Sequence, residues 1–230
     1  MKYTIIAGLP LLLCAYGAQA IPLSYGTATH DTTAWQELAD VPNNDPFGVT
    51  WSTDSGTTWG RNENLTVGQT VQFRFSMHKQ NVGYHYADLL KSWVDWDQNG
   101  VFDVSDEVAY GEHKLVDFEP VLGTWQTPVN PDFAFYSSEY TLTEDQVGDF
   151  WLRALATCTH SVTNMYGGDW DDQWKPEYTD NYRNLMTPTG HYYQGETEEW
   201  KITVHSAPEP ASLALLGLGM VGLIARKRAK

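Results

Sequence analysis

The chain has 230 residues, with 14 Lys and Arg against 29 Asp and Glu and a formal net charge of −15. Phosphate backbones require clustered cations, so this balance sets nucleic acid aside as a partner. Aromatic residues make up 13% of the chain, and all ten Trp fall between residues 35 and 200, which excludes a disordered acidic tail and points to a ring-rich folded body.

At the N-terminus, Lys2 precedes an apolar stretch from Ile5 to Ala15, and Ala18-Gln19-Ala20 has the small-x-small form of a signal-peptidase site. This predicts a helical secretory signal peptide over residues 1–20 and a mature chain from Ile21. Leu13 is too bulky for a lipobox, and cleavage after Ala20 discards Cys14. Cys158 is then the only cysteine left, so the body has no internal disulfide, and Cys158 is expected to be buried in a strand. Residues 21–206 suit one domain; they hold nine basic against 28 acidic side chains, a formal charge of −19. Calcium and neutral or cationic glycans are the electrostatically suited partners.

Within this body short apolar-alternating segments are separated by turn residues, which predicts an all-β fold. The expected form is an antiparallel β-sandwich of jelly-roll or immunoglobulin-like type, flanked by the signal helix and a C-terminal hydrophobic helix. A long loop or short hairpin is expected from Pro42 to Gly60, around a strand at Val49–Ser52. Gln69–Met77 is the clearest strand, with Val71, Phe73 and Phe75 on one face and Gln72, Arg74 and Ser76 on the other. Further strands are expected at Leu89–Asp95, Glu107–Tyr110, His113–Phe118, Phe133–Leu142, Phe150–Thr159 and Glu198–His205. Thr143-Glu144-Asp145-Gln146 has capping-box form and predicts one helical turn before the Phe150 strand.

Between the third and fourth of these strands lies DWDQNGVFDVSDE, from Asp95 to Glu107. Asp95, Asp97, Asn99, Asp103 and Asp106 occupy loop positions 1, 3, 5, 9 and 12, Gly100 stands at position 6, and the carbonyl of Val101 is available at position 7. A hard cation such as Ca²⁺ takes six to eight oxygens, and this spacing turns alternate oxygens inward while glycine permits the sharp bend. The alternative is a solvated Asx-rich turn with the same spacing. Position 12 is Asp106 where an EF-hand has Glu, and no helix pair flanks the loop, so a structural site is expected rather than a sensor.

The stretch Ser92–Val108, with Leu152-Arg153 and Gly195-Glu196-Thr197-Glu198-Glu199-Trp200 downstream, resembles the GEVED domain of bacterial secreted proteins. That resemblance spans roughly residues 69–205 and implies a β-sandwich of surface proteins with no established catalytic activity. Glu196 and Glu198 share a face of the last strand, placed either to support the acidic loop or to form a solvated edge.

From Tyr166 to Arg183, Trp170, Trp174, Tyr178 and Tyr182 recur every four residues among Asp169, Asp171 and Asp172. Pro176 argues for a long functional loop. Rings and carboxylates together suit a glycan site built on Trp170, Trp174 and Tyr178, whereas loop rings also pack commonly onto a core. Nucleophile-elbow, zinc-protease and Cys-x-x-Cys motifs do not occur, and the seven His are scattered, so a non-catalytic protein is expected. A carbohydrate-binding module acting on exopolysaccharide, or a glycan hydrolase, is the alternative.

The last segment, residues 207–230, joins Pro208-Glu209-Pro210 to a 15-residue apolar run, Ala211–Ala225, and a basic end at Arg226, Lys227 and Arg228. As a helix the run is about 22 Å long against a hydrocarbon core of about 30 Å, short for a permanent anchor. This tripartite tail resembles the PEP-CTERM sorting signal. The resemblance implies transient membrane insertion, processing by an exosortase-type enzyme at Pro208–Pro210, and release or attachment at the cell surface. An ordinary short anchor is the alternative.

Overall fold

The computed structural model describes residues 21–32, 36–39, 48–61, 65–79, 85–114 and 132–208. The signal peptide, residues 42–47 of the expected loop, residues 115–118, Glu209, Pro210 and the apolar tail lie outside these residues. Among the described residues no helix is long and apolar enough to cross a membrane.

The fold is mostly β. The first sheet has the order β4 (Leu65–Thr66), β12 (Glu196–His205), β10 (Gly148–Cys158), β6 (Ala87–Val94), β7 (Glu107–Lys114). All its pairings are antiparallel except β4 with β12. The second sheet is built on β5 (Thr70–His78), which pairs antiparallel with β2 (Glu37–Leu38), β3 (Val49–Ser52), β8 (Asp132–Tyr136) and β9 (Tyr140–Thr141). Outside both sheets β1 (Ala28–Thr32) runs parallel to β11 (Gly190–Gln194).

Alternation along β5 decides how the sheets meet. Val71, Phe73 and Phe75 are buried, while Gln72 and Arg74 face outward. The inward set packs with Leu90 and Val94 of β6, with Phe150, Leu152, Ala154 and Ala156 of β10, and with Ile202 and Val204 of β12. Each large side chain here contributes about 1.5–3 kcal/mol by leaving water. The sheets approach so closely at Gly111 of β7 that a Cβ there would stand 2.0 Å from the Phe135 ring.

The opposite face of the first sheet is covered too. Leu89, Trp93 and Leu155 pack under Tyr25, Phe102, Val162, Tyr182, Met186 and Tyr192. β6 is therefore buried along its whole length, which is why its sequence, ADLLKSWV, does not alternate. The cover includes α1 (Thr159–Met165), a 3₁₀ turn at Trp170–Trp174, α2 (Pro176–Thr179) and α3 (Tyr182–Leu185).

This helical cover corrects the expected long loop over 166–183. Pro176 does not interrupt structure but opens α2, where its missing N–H is no loss. Two strand expectations also change. Glu107–Lys114 is one strand, not two, because Gly111 keeps its place opposite Leu90. Phe133–Leu142 divides into β8 and β9 at Ser137, whose hydroxyl accepts the Phe73 N–H at 2.9 Å and whose own N–H donates to the Phe73 carbonyl at 3.0 Å. The turn at Glu144–Gln146 has the expected capping box, and Cys158 is buried at the end of β10.

Gly195 links β11 to β12 with φ +120°, and its N–H donates to the Thr32 carbonyl at 3.0 Å. A Cβ there would lie 2.0 Å from the Ala156 carbonyl oxygen, a main-chain atom of a central strand. Gly195→Ala is expected to cost about 2–4 kcal/mol from combined strain and overpacking, read as a lower urea midpoint at unchanged slope.

Candidate functional site

The acidic loop begins where β6 stops. The Asp95 N–H donates to the Trp151 carbonyl of β10 at 3.0 Å, which ties the first loop residue to the sheet. Its side chain is fully buried. Oδ1 accepts the Asn99 N–H at 3.1 Å, and Oδ2 accepts the Gly100 N–H at 3.0 Å and the Tyr25 hydroxyl. The chain reverses through left-handed conformations at Gln98 (φ +56°) and Gly100 (φ +82°). Phe102 then anchors the loop in the second core, with its ring centroid 4.7 Å from that of Tyr25.

Beyond Phe102, Asp103 caps the 3₁₀ turn Val104–Asp106. Its Oδ1 accepts the Ser105 N–H at 2.6 Å, while Asp106 Oδ2 accepts the Asp103 N–H at 2.8 Å. This reciprocal cap aims Asp106 back toward the start of the loop. Carboxylate oxygens of Asp95, Asp97 and Asp106 consequently lie within 4.8 Å of one another, two of the residues buried and Asp97 exposed.

The structure brings these three together and places the other proposed ligands differently. Asp103 is not in the group, and its carboxyl is held below the usual range, first by the Ser105 hydroxyl. Asn99 Oδ1 accepts the Val101 N–H at 2.9 Å. Val101 itself is exposed. Burial, with repulsion from Asp103, Asp95 and Asp97, pushes the Asp106 pKa up to about 6. Burial and Asp95 likewise push the Tyr25 hydroxyl up. Three carboxylates converging without nitrogen or sulfur fit a hard cation.

Arg153 supports this loop from below, a role that its sequence neighbours do not reveal. Its guanidinium is fully buried, lies over the Phe102 ring at 5.0 Å, and donates to the carbonyls of Tyr25 (3.1 Å), Gly26 (2.9 Å) and Pro188 (2.7 Å) and to Glu199 (2.9 Å). Tyr25 thus takes a hydrogen bond from Arg153 and gives one to Asp95. Glu196 goes elsewhere: its carboxylate accepts the Leu38 N–H at 2.8 Å, joining the first sheet to the second. Glu198 Oε2 takes a long contact from the Trp200 indole N–H at 3.4 Å.

The three proposed glycan residues also separate. Trp170 and Trp174 are each 38% exposed and stand edge to face, with centroids 6.5 Å apart. Tyr178 instead packs into the second core beneath Gly168. His160 of α1 and Tyr193 of β11 extend the exposed face in its place, with His160 4.3 Å from Trp170 and 5.7 Å from Tyr193. Tyr193 is distant in sequence from the Trp pair, whereas His160 lies on the helix just before it; the one signal for Tyr193 was the alternation of β11, which turns Tyr192 inward and Tyr193 outward.

After His205, residues 206–208 leave the sheet exposed, ending the described residues at Pro208. Comparison with protein families matches the PEP-CTERM protein-sorting motif over residues 206–229. The GEVED-like resemblance gains no support from the comparisons. A search of curated proteins returns no match. The sorting motif implies export through the membrane, processing by an exosortase and delivery to the cell surface.

Proposed function

We propose that this exosortase-sorted surface protein is a non-catalytic structural or binding component of the cell surface or extracellular matrix, stiffened by a Ca²⁺ ion in its acidic loop. The convergence of Asp95, Asp97 and Asp106 carries this reading. Asn99 and Asp103, whose oxygens now accept local hydrogen bonds, and the Val101 carbonyl are further donors that the loop spacing offers, and water completes the six to eight that calcium takes. The ion would supply charge neutralisation, offsetting the burial and the repulsion that otherwise keep Asp106 hard to ionise.

Extracellular calcium sites bind at about 0.1–1 mM, so a tenfold excess of calcium adds about 1.4 kcal/mol. For a domain of this size that is an expected rise of about 3–6 °C in the unfolding midpoint. Asp97→Ala, at an exposed position, removes the rise without unfolding the chain. An unchanged midpoint of the wild type between calcium and chelator removes calcium from the proposal.

The three stretches that resemble a GEVED domain fall on β6 with its loop, on β10 and on β12, which are neighbours in one sheet and are joined by Arg153 and Glu199.

A second reading rests on the exposed face of Trp170, Trp174, His160 and Tyr193. Rings of this kind stack on sugar faces, which suits a module that binds exopolysaccharide. Glycan-array binding that disappears in Trp170→Ala supports it, and an array without binding removes it. Release of sugar from exopolysaccharide by the protein overturns the non-catalytic reading.

A further inference from the structure

A second cluster of charged side chains lies at the end of β6 opposite the acidic loop, with no part in the readings above. Lys79, just past β5, and Asp88 of β6 are 2% and 0% exposed, with Gln36 at 0% and His85 at 5%. Lys79 Nζ donates to Asp88 Oδ2 at 2.7 Å. His85 Nε2 lies 2.9 Å from that nitrogen and 2.7 Å from Asp88 Oδ1. Gln36 Nε2 donates to Oδ1 at 2.9 Å. On the outer side His113 Nδ1 stands 3.9 Å from Oδ2, its ring stacked on Phe133 at 4.1 Å.

We propose that Lys79 and Asp88 condense into an intramolecular amide cross-link, with His85 as the proton carrier. The amine nitrogen and the carboxyl group are already in contact, so the reaction is unimolecular and its entropy cost has been met by folding. One ammonium proton first passes through His85 Nε2 to Oδ1; the freed Nζ lone pair then attacks Cγ and forms the N–C bond, a second N–H proton follows to Oδ1, and the Cγ–Oδ1 bond breaks to release water. Ammonium and carboxylate together are neutral, as are amide and water, and no oxidant, metal or cofactor is consumed. Gln36 fixes the orientation of the carboxyl group by its hydrogen bond to Oδ1.

The surroundings favour these steps. Burial depresses the His85 pKa, so its imidazole is neutral and able to accept a proton. Burial pushes Asp88 up while the charge of Lys79 and the hydrogen bonds of the cluster pull it down and prevail, so the resting state is the ion pair and a proton transfer within the cluster begins the reaction. Loss of hydration brings the neutral amine and acid closer in energy to that pair than they are in water. Exclusion of water also protects the product amide from hydrolysis. The bond would join the residue that follows β5 of the second sheet to β6 of the first, in a body whose single cysteine, Cys158, cannot form an internal disulfide.

Trypsin digestion of the denatured full chain, followed by mass spectrometry, tests the proposal. Trypsin does not cleave after an acylated lysine. A cross-linked chain therefore yields Phe75–Lys91 as one peptide, lighter than its sequence by one water, with fragment ions that place the loss between Lys79 and Asp88. His85→Ala is expected to slow its accumulation, and Lys79→Arg to restore cleavage and full mass. Recovery of Phe75–Lys79 and Gln80–Lys91 at full mass from the wild type overturns the proposal, as does a water loss that persists in Lys79→Arg.

Discussion

Replacing Arg153 with Met is expected to lower the unfolding free energy by about 3–5 kcal/mol, the range seen when one partner of a buried, hydrogen-bonded charge is removed. Met fills much of the space above Phe102 but donates nothing. The carbonyls of Tyr25, Gly26 and Pro188 then lose their donors inside the protein, at about 1–3 kcal/mol for each that water cannot reach. Glu199 is 29% exposed at its side chain and can turn to solvent, so most of the loss comes from the main-chain groups rather than from the ion pair. Arg153→Lys is expected to recover little, because one ammonium cannot reproduce a planar fork aimed at several acceptors. The same substitution is expected to weaken the calcium response, since Tyr25 is held by Arg153 at its carbonyl and holds Asp95 through its hydroxyl. Urea unfolding with and without calcium measures both effects. A midpoint unchanged by Arg153→Met would show that the guanidinium does not hold the N-terminal segment.

Period-two patterning made β5 legible because Val71, Phe73 and Phe75 are buried while Gln72 and Arg74 between them are not, although Ser76, expected on the outward face, is buried as well. β6 was legible only in part: Leu89, Leu90, Trp93 and Val94 mark a strand, but Asp88, Lys91 and Ser92 gave no sign that both of its faces are buried. The helical cover was not, since pieces of four to seven residues are too short for a 3.6-residue period to emerge. Their local caps were nevertheless written in the chain, as Pro176 at the first position of α2 and the Asp169–Asp172 capping box show.

The acidic loop was legible as spacing, but spacing does not decide between competing local bonds. Asp103 and Asn99 stand at ligand positions and also at positions where short polar side chains accept nearby N–H groups. What the sequence concealed entirely was contact across distance. Tyr25, Arg153 and Glu199 meet from three parts of the chain, as do Trp170, His160 and Tyr193. The cluster around Asp88 is the opposite case: Lys79, His85 and Asp88 are close in sequence, yet nothing in their pattern announced that all three are buried.

The pH dependence of the metal-free chain should carry the signature of Asp106. Its folded-state pKa of about 6 lies above the unfolded value of about 3.9. The protonated carboxyl is thus the form the fold favours, and its stabilisation is complete below the unfolded value and lost as pH rises through 6. Two pKa units of this kind amount to about 2–3 kcal/mol. Asp103 has the opposite sign, because a depressed folded-state pKa gives stability that is lost on acidification. Comparison with Asp106→Asn isolates the first effect, since the amide oxygen can still accept the Asp103 N–H while the charge is gone. In metal-free buffer Asp106→Asn is expected to be more stable than the wild type by about 2 kcal/mol at about pH 7.5 and nearly equal to it at about pH 3, below the unfolded value. Calcium reverses the order at pH 7.5, because the ion replaces the proton as the partner of the wild-type carboxylate and finds less to bind in the variant. If urea unfolding gives the same difference between the two proteins at both pH values, Asp106 ionises as freely in the fold as in the unfolded chain, and the three carboxylates do not repel one another strongly enough to favour a cation.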